Sequence, residues 1–510
     1  MNSTLMHLEK FSLKMGHLLN SGIPLLSTLD ILAAEEQIPQ FAEGIRNIQS
    51  LIKNGKRLSQ AMEEYPNFFS KSYIGMIRAS ESQGTLDIML PKIAEGLRSG
   101  LIALPAGESS DSSQKQANDA DVDPVEVVKL FNTIMSEAFE SKASDVHIVP
   151  TVSGLEVHFR IDGTLKLHQS LEKQWRRPLI ARIKFMCDGN LGEERLPQDR
   201  RMQIDHNGKH FDIRVGFLPS VTGEKVTLRV FSKDEITLDP KDLFQDPKDI
   251  EVFSRLTSLP YGIVVVSGPT GCGKTTTAYS ALNAIVKNDK VAIATAEDPV
   301  EYIIDGTTQI QVRPEIGLDF PTAIASIMRN DPDVVYIGEI RDDKTMALAV
   351  KVAVTGHLVF ATLHSLDTVD VIRRLLSSNV PAHLIASSLA GIITQRLVRK
   401  VCPKCIKPLK TPLKSKELEL LEIDKNLEKT LVEGTGCEYC NQTGYRGRIA
   451  IFEIYTPSKD FKDIVLAQDM KQITSFLENE KFRRIRQSAL DLVISGKTTL
   501  IEAARILAKD

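Results

Sequence analysis

The sequence has little of what marks secreted, membrane-spanning or nucleic-acid-binding proteins. Its 510 residues contain no apolar stretch near the roughly 20 residues that cross a bilayer, so any membrane role is expected to be peripheral. The first residues, MNSTLMHLEK, have neither a basic segment nor an apolar core, and no secretory signal is expected. The formal net charge of −3 provides no excess positive charge for the phosphates of a nucleic acid, so no direct nucleic-acid binding is expected.

Cysteine is also scarce, because six thiols in a chain of this length are too few for a disulfide scaffold. Four of them form two Cys-x-x-Cys pairs, Cys402 with Cys405 and Cys437 with Cys440. Each pair can occupy one edge of a tetrahedron, so the two pairs together predict a closed four-thiolate site for a structural Zn²⁺. An iron–sulfur cluster and reduced thiols without a metal are the alternatives.

The chemistry is organised around residues 268–277, GPTGCGKTTT, called here the phosphate loop. Four of its residues fit the nucleotide-binding pattern G-x-x-x-x-G-K-[ST]. The glycines allow a tight turn that aims backbone N–H groups at phosphate oxygens, Lys274 reaches the β- and γ-phosphates, and the Thr275 hydroxyl can ligate Mg²⁺. An apolar run precedes the loop and a helical repeat follows it, as an anion site requires. The predicted nucleotide contacts are Gly268, Pro269, Thr270, Gly271, Cys272, Gly273, Lys274, Thr275 and Thr276.

Carboxylates follow two further predicted strands. Residues 333–339, DVVYIGE, end on Glu339, and residues 297–301, EDPVE, bring three acids to the end of another apolar run. An acid at the carboxyl end of a sheet strand lies beside the phosphate loop, where it can hold Mg²⁺ or its waters, or activate a water. One base and one Mg²⁺ organiser suffice. We favour Glu301 as the base and Glu339 as the Mg²⁺ ligand, and the reverse assignment stays open.

Two histidines, His357 and His364, bracket a further predicted strand at residues 358–363. A histidine can donate a hydrogen bond to the γ-phosphate and respond to its loss. We expect both to act at the site, and a structural role within the strand is the alternative.

Hydrophobic periodicity predicts a multidomain chain. Residues 1–104 repeat apolar residues at helical spacing and predict an α-helical bundle. Residues 105–123 are rich in Ser, Asp and Gln and predict a flexible linker. Residues 124–238 predict an α/β accessory domain. Residues 239–510 alternate buried strands with helices, the pattern of a parallel sheet covered by helices.

Most of the chain resembles one family. GPTGCGKTTT, ATAEDPVEY, MRNDPDVVYIGEIRD, TGHLVFATLH and CPKC…CEYCNQTGYRGR occur in the order and spacing of the ATPases of the type II/type IV secretion superfamily. Upstream, SDVHIVP, VHFRIDG, LPQDRR and DIRVGFLPSVTGEKVTLRV resemble the second N-terminal domain of that family. The resemblance implies a RecA-like α/β ATPase domain with a four-cysteine zinc insertion at 400–447 and a helical C-terminal subdomain at 448–510. The cofactors implied are ATP, Mg²⁺ and Zn²⁺.

The resemblance also implies a homo-hexamer with nucleotide between subunits, where arginines of the neighbouring accessory domain reach the phosphates. Such an arginine would neutralise transition-state charge. Arg201 and Arg214 are the first candidates, followed by Arg182 and Arg229. Arg200 stands where the family commonly has Gly in LPQDGR, which leaves the register of Arg200 and Arg201 open.

The first region resembles a second family. FSLKMGHLLNSGIPLLSTLDIL, GKRLSQAMEEYPNFF and IRASESQGTLDIML are similar, in family order, to the cytoplasmic repeat of the type II secretion F proteins, which are inner-membrane platform proteins. Those proteins continue into membrane helices, whereas residues 97–104 are too short for one. We therefore expect a module that ties a motor to the platform assembly.

The expected function is that of a cytoplasmic ATP-hydrolysing motor, bound peripherally to the inner membrane through a platform protein. It would power assembly of a type IV pilus or a type II secretion pseudopilus, and protein export. A DNA-uptake pseudopilus motor is an alternative, and a retraction motor is less expected because those motors lack the four-cysteine insertion. A nucleotide-gated scaffold that does not hydrolyse ATP and a pure platform subunit are alternatives of other classes.

Overall fold

The computed structural model describes residues 3–36, 38–98, 122–232, 239–288, 291–410 and 431–508. The chain divides into two compact units, Met1–Asp234 and Glu235–Asp510. Within the described ranges, no helix is both long and apolar enough to cross a membrane. Residues 105–121 of the predicted linker and residues 411–430 of the predicted insertion lie outside the described residues. The finer division into domains stays a prediction.

The first unit begins with a helical bundle, as the apolar periodicity predicts. Phe11, Ile45 and Ile48 of the predicted stripes are buried in one shared core. The first and the sixth helix of the bundle pack closely. A Cβ at Gly16 of the first would lie 2.5 Å from Cδ of Pro91 in the sixth, so only glycine leaves room there. The helices are α1 (Ser3–Asn20), α2 (Leu25–Glu35), α3 (Pro39–Lys53), α4 (Leu58–Met62), α5 (Lys71–Gln83) and α6 (Leu86–Arg98).

The rest of the first unit is an antiparallel sheet with helices on one face. Its elements are α7 (Pro124–Glu140), β1 (Asp145–Pro150), β2 (Gly154–Ile161), β3 (Thr164–Glu172), α8 (Arg176–Met186), β4 (Gln198–His206), β5 (Lys209–Ser220) and β6 (Gly223–Ser232). The strand order is β3-β2-β1-β6-β5-β4. Asp123 accepts a hydrogen bond from the Val125 N–H and Pro124 is the first helical residue, so α7 begins as predicted. Side chains such as Val146 and Leu228 pack beneath α7 and α8.

The second unit is built on a seven-stranded sheet that is buried at its centre. Its strands are β7 (Gly262–Ser267), β8 (Ile293–Glu297), β9 (Thr307–Gln311), β10 (Val334–Ile337), β11 (Leu358–Leu363), β12 (Leu389–Val401) and β15 (Tyr445–Tyr455), with β13 (Ile406–Pro408) and β14 (Val432–Gly434) forming a separate ribbon. The order is β15-β12-β7-β11-β10-β8-β9. All neighbours are parallel except β15, which pairs antiparallel with β12. The predicted α/β domain with a parallel sheet is therefore confirmed.

Helices connect the strands of this sheet and cover it, and further helices come after its last strand in the chain. They are α9 (Pro240–Leu243), α10 (Pro247–Thr257), α11 (Lys274–Asn288), α12 (Phe320–Ile327), α13 (Asp343–Val354), α14 (Thr368–Leu376), α15 (Ala382–Ser388), α16 (Lys459–Leu466), α17 (Met470–Asn479), α18 (Ile485–Ile494) and α19 (Leu500–Leu507). The predicted C-terminal subdomain starts at 448, yet residues 448–455 belong to β15 because their apolar side chains continue the sheet. The last run of helices begins only at Lys459.

A buried carboxylate joins this last run to the sheet. Glu453 of β15 is only 3% exposed. Its Oε1 accepts the Thr368 hydroxyl at 2.5 Å and the Thr368 N–H at 3.3 Å, while its Oε2 accepts the Ile485 N–H at 3.2 Å. One negative charge therefore caps the N-termini of α14 and α18, where helix N–H groups favour it.

Candidate nucleotide-binding site

The phosphate loop leaves the centre of the sheet, because β7 lies between β11 and β12. The Ser267 hydroxyl at the end of β7 donates to the Ser365 carbonyl at 2.8 Å and fixes the ends of β7 and β11 together. α11 begins at Lys274, so its free N-terminal N–H groups face the loop. Gly268 and Gly273 have φ values of 146° and 93°, and a Cβ on Gly268 would collide with the Gln395 carbonyl oxygen.

Gln395 braces the phosphate loop from β12, and the sequence analysis missed it. Its side-chain amide donates to the Cys272 carbonyl at 2.7 Å and accepts the Thr277 hydroxyl at 2.7 Å. The side chain is 1% exposed, so both hydrogen bonds are formed away from water. The loop is thereby tied to the first turn of α11. The available signal was the polar triplet at 394–396 inside the otherwise apolar strand IITQRLV, since buried polar groups need partners.

His364 connects the loop lysine to the predicted Mg²⁺ ligand. The Lys274 ammonium donates to the carbonyls of Gly268 and Pro269 at 2.9 and 3.2 Å and lies 3.3 Å from Nδ1 of His364. Because an ammonium is only a donor, Nδ1 accepts and Nε2 carries the ring proton, 3.3 Å from Glu339. Burial lowers the pKa of Lys274, and the charge of Glu339 acts in the opposite direction.

Glu339 also contacts Arg341, which reaches Asp298 at 3.3 Å. Asp298 follows β8 and Glu339 follows β10, so the ends of two neighbouring parallel strands share one arginine. Gly338 lies between them, and a Cβ there would come within 3.2 Å of the Glu297 Cα. A larger residue at 338 would push the two strand ends apart.

Glu297, the last residue of β8, is buried, whereas its neighbour Asp298 is exposed and reaches Arg341. Glu297 is 2% exposed and accepts hydrogen bonds from Thr295 at 2.6 Å, from Gln309 at 3.0 Å and from the Tyr279 hydroxyl. Burial raises its pKa, while these three hydrogen bonds act against the rise. The segment does follow the strand as predicted, but the Glu297 side chain is buried. Glu301 follows it, and its backbone N–H donates to the Tyr279 hydroxyl at 3.2 Å.

His357 lies at the opposite edge of the sheet from the loop of its own chain. Leu358 pairs with Gly262 and Leu363 with Ser267, so His357 stands beside the beginning of β7 and His364 beside its end. Seven residue steps of about 3.3 Å each separate the two histidines by roughly 23 Å. The His357 ring contacts the Val352 carbonyl at 3.1 Å. The structure does not bring His357 to the site, because only the carboxyl ends of parallel strands meet the ligand.

The accessory sheet aligns arginines in a row across its strands. Arg201 pairs with Arg214, Arg214 with Arg229, Arg229 with Asp145, and Asp145 with Arg160. Directly paired residues share a face, which here is the face opposite α7 and α8. We call Arg160, Arg201, Arg214 and Arg229 the arginine row.

Arg200 and Arg182 do not belong to the arginine row. Arg200 is on the face that α7 and α8 cover, and its guanidinium donates to the Asp188 carbonyl at 3.2 Å. Arg182 belongs to α8 itself, with its guanidinium 5.7 Å from the centroid of the Phe185 ring. Arg201 therefore shares its face with Arg214, and Arg200 does not.

The four predicted metal-binding cysteines lie together. Their sulfurs are all within 4.8 Å of one another, and three of the Sγ–Sγ distances are 3.7 to 3.8 Å. Burial opposes ionisation of Cys440, but backbone N–H groups of Cys437 and Gly444 lie 3.3 Å from its sulfur and lower its pKa to about 6.

The family described as type II/IV secretion system protein matches residues 119–505. The chain belongs to this family. The family described as type II secretion system protein F matches residues 11–101. The resemblances drawn from the motifs are thus confirmed for both parts of the chain.

Relatives of known name agree with the family. The chain is 39% identical to the type IV pilus assembly ATPase PilB of Myxococcus xanthus over 79% of this chain and 71% of that protein. It is 35% identical to the putative type II secretion system protein E of Escherichia coli over 81% and 83%, and 36% identical to the type II secretion system ATPase E of Vibrio cholerae over 75% and 76%. The chain is therefore a secretion or pilus motor ATPase, as predicted.

Solved structures share the fold. The ATPase DotB of Yersinia pseudotuberculosis is similar with a TM-score of 0.56 and 23% identity over 79% of this chain and 98% of that one. The pilus retraction motor PilT with bound ADP has a TM-score of 0.50 and 24% identity over 73% and 95%. At these identities the likeness concerns the fold alone.

We predict that Gln395→Leu in this secretion ATPase weakens ADP binding about tenfold or more, because it leaves the Cys272 carbonyl and the Thr277 hydroxyl unpaired beside the loop, at about 1–3 kcal/mol each. Titration with a fluorescent ADP analogue measures the effect. Thr277→Val removes one of the two hydrogen bonds and should cause a smaller loss. Equal losses in the two variants, or none, would contradict a bracing role.

Proposed function

We propose that the chain is a motor that hydrolyses ATP and uses the energy to assemble a type IV pilus or a type II secretion pseudopilus and to export protein through it. The observation that carries the proposal is the link from Lys274 through His364 to Glu339 at the carboxyl edge of the sheet. It puts an ammonium group, an imidazole and a carboxylate at the end of one phosphate-binding loop. One relative is named as a pilus assembly ATPase and another as a secretion system ATPase, and both names favour assembly over retraction.

Within this proposal the loop binds the phosphates with the backbone N–H groups of residues 268–276, and Lys274 pairs with the β- and γ-phosphates. Lys274 now donates to loop carbonyls, which phosphate oxygens would replace as acceptors. The Thr275 hydroxyl and the Glu339 carboxylate are hard oxygen donors that suit Mg²⁺. Bound Mg²⁺ would neutralise phosphate charge. Glu301 is the proposed base that orients the attacking water.

The arginine row supports a phosphate contact in trans in a homo-hexamer. Like charges directly opposite one another on neighbouring strands destabilise a sheet. Asp145 compensates part of the charge, through Arg229 at 3.0 Å and Arg160 at 3.7 Å. Arg214 lies 4.4 Å from the centroid of the Phe231 ring. A phosphate group of a neighbouring subunit's nucleotide would accept hydrogen bonds from the guanidinium groups on this face, with Arg201 and Arg214 as its first ligands.

We predict that the purified protein releases phosphate from ATP only with Mg²⁺, and that Lys274→Ala abolishes the release. Glu301→Gln should lower kcat by roughly 10² to 10⁴ if Glu301 is the base. Glu339→Gln should instead raise the Mg²⁺ concentration needed for half-maximal turnover. Glu315→Gln, which alters an exposed acid outside the site, is the matched control. Turnover absent from the wild type, or unchanged in Lys274→Ala, would favour the non-hydrolysing scaffold.

We further propose that Zn²⁺ binds the four cysteines and fixes the β13–β14 ribbon to β12 and β15. The donor set is four soft thiols, which zinc prefers in closed structural sites. Zn–S bonds of about 2.3 Å at tetrahedral angles separate sulfurs by about 3.8 Å. The observed sulfur separations of 3.7 to 3.8 Å fit such a site.

We expect one zinc per chain by elemental mass spectrometry, and none after Cys440→Ser, because a closed site loses its tetrahedron with one ligand. Cys187→Ala, a buried cysteine of the first unit, should keep its zinc. Iron with visible absorbance would indicate a cluster instead, and metal-free wild-type protein would contradict the site.

The N-terminal module is proposed to bind an inner-membrane platform protein, and through it to hold the motor peripherally at the membrane from the cytoplasmic side. The match of residues 11–101 to the family of type II secretion system protein F supports this. Deletion of residues 1–104 is expected to reduce recruitment to vesicles that carry the platform protein. The control is ATP turnover of the deleted chain. Recruitment at the wild-type level would refute the proposal.

A further inference from the structure

Tyr279 lies on α11, one turn after the lysine and threonine of the phosphate loop. Its side chain is fully buried, and its hydroxyl uses both of its hydrogen-bonding capacities. It donates to Oε2 of Glu297 and accepts the backbone N–H of Glu301 at 3.2 Å. A single hydroxyl on the nucleotide-binding helix thus holds the backbone of the proposed base.

The acceptor of this hydroxyl is itself immobilised. The other carboxylate oxygen of Glu297 accepts from Thr295 at 2.6 Å and from the Gln309 amide at 3.0 Å. The Gln309 amide group also donates to the Tyr302 carbonyl at 3.1 Å and accepts the Ile304 N–H at 2.7 Å. A buried carboxylate with three donors is rigid because losing any of them would leave a polar atom unpaired. The segment that carries Glu301 is therefore fixed on both sides.

The ring of Tyr279 also contacts β10, the strand that precedes Glu339. It packs edge-to-face on Tyr302 at 4.5 Å and on Tyr336 at 5.9 Å between centroids. Tyr336 belongs to β10, the strand that ends beside Glu339. Tyr279 thus contacts the elements that precede both candidate acids, and its hydroxyl bonds Glu297 and the Glu301 backbone.

We propose that Tyr279 is a positioning residue that couples the phosphate loop to the base. This inference rests on the proposed function. The hydroxyl ties the Glu301 backbone to the helix whose N-terminus takes up the phosphates, so the base is held at a constant position relative to the loop. Because Tyr279 does not meet the nucleotide, its hydroxyl should affect turnover and leave binding unchanged.

The test is Tyr279→Phe, which removes the hydroxyl and keeps the ring. We expect kcat for ATP to fall roughly 10- to 100-fold, as for a base displaced by about 1 Å, with KM and ADP affinity within about twofold of wild type. Tyr302→Phe is the matched control, because the Tyr302 hydroxyl is buried in the same cluster with no hydrogen-bond partner among the described residues. It should leave kcat unchanged.

A second variant, Glu297→Gln, decides the matter if Tyr279→Phe does not fold. In this variant the new side-chain NH₂ group faces one of the three donors that bind the Glu297 carboxylate, so one hydrogen bond is lost. We expect kcat to fall while the affinity for ADP stays unchanged. Unchanged kcat in the folded variant, an equal fall in Tyr302→Phe, or a parallel loss of ADP affinity would overturn the inference. Failure of the proposed function is separate: it appears as absent turnover in the wild type.

Discussion

The second unit depends on the parallel pairing of its central strands. β7, β11, β10 and β8 run in one direction, so the segments that follow them emerge at one edge. The loop, His364, Glu339 and Asp298 are neighbours for this reason alone, although up to 96 residues separate them, as the Ser267–Leu363 hydrogen bond illustrates. Parallel strands require long crossovers, and the helices that provide them bury both faces of the sheet. The common direction of these strands therefore brings the residues of the separate motifs together at one site.

Buried polar side chains then set the geometry that an apolar core leaves undetermined. Gln395 fixes the loop, Glu297 fixes the segment after β8, and Glu453 fixes two helix ends. Each is at most 3% exposed, and each has its hydrogen-bonding groups directed at named partners. Apolar contacts tolerate small shifts, whereas an unpaired buried amide or carboxylate does not. These three residues thus specify distances that catalysis needs to be constant.

The two units illustrate different electrostatic solutions. In the nucleotide unit, opposite charges meet directly, as Arg341 does with Glu339 and Asp298. In the accessory sheet, the arginine row stacks charges of one sign on adjacent strands, with Asp145 as an anion among them. The first arrangement pairs each cation with an anion, whereas the second places guanidinium groups side by side on one face of the sheet.

The sequence by itself determined the features that rest on local chemistry. The phosphate loop, the two Cys-x-x-Cys pairs, the start of α7 at Asp123 and Pro124, and the N-terminal helical stripes all depend on residues close together in the chain. Only the tertiary structure decided which end of a strand meets the loop, and so separated His364 from His357. It also turned Glu297 inward, decided that Arg201 and not Arg200 lies on the face opposite α7 and α8, and extended β15 through residues 448–455. It brought Gln395 into contact with a loop more than a hundred residues away. Strand direction, register and burial are properties of pairing between distant segments, and no local pattern contains them.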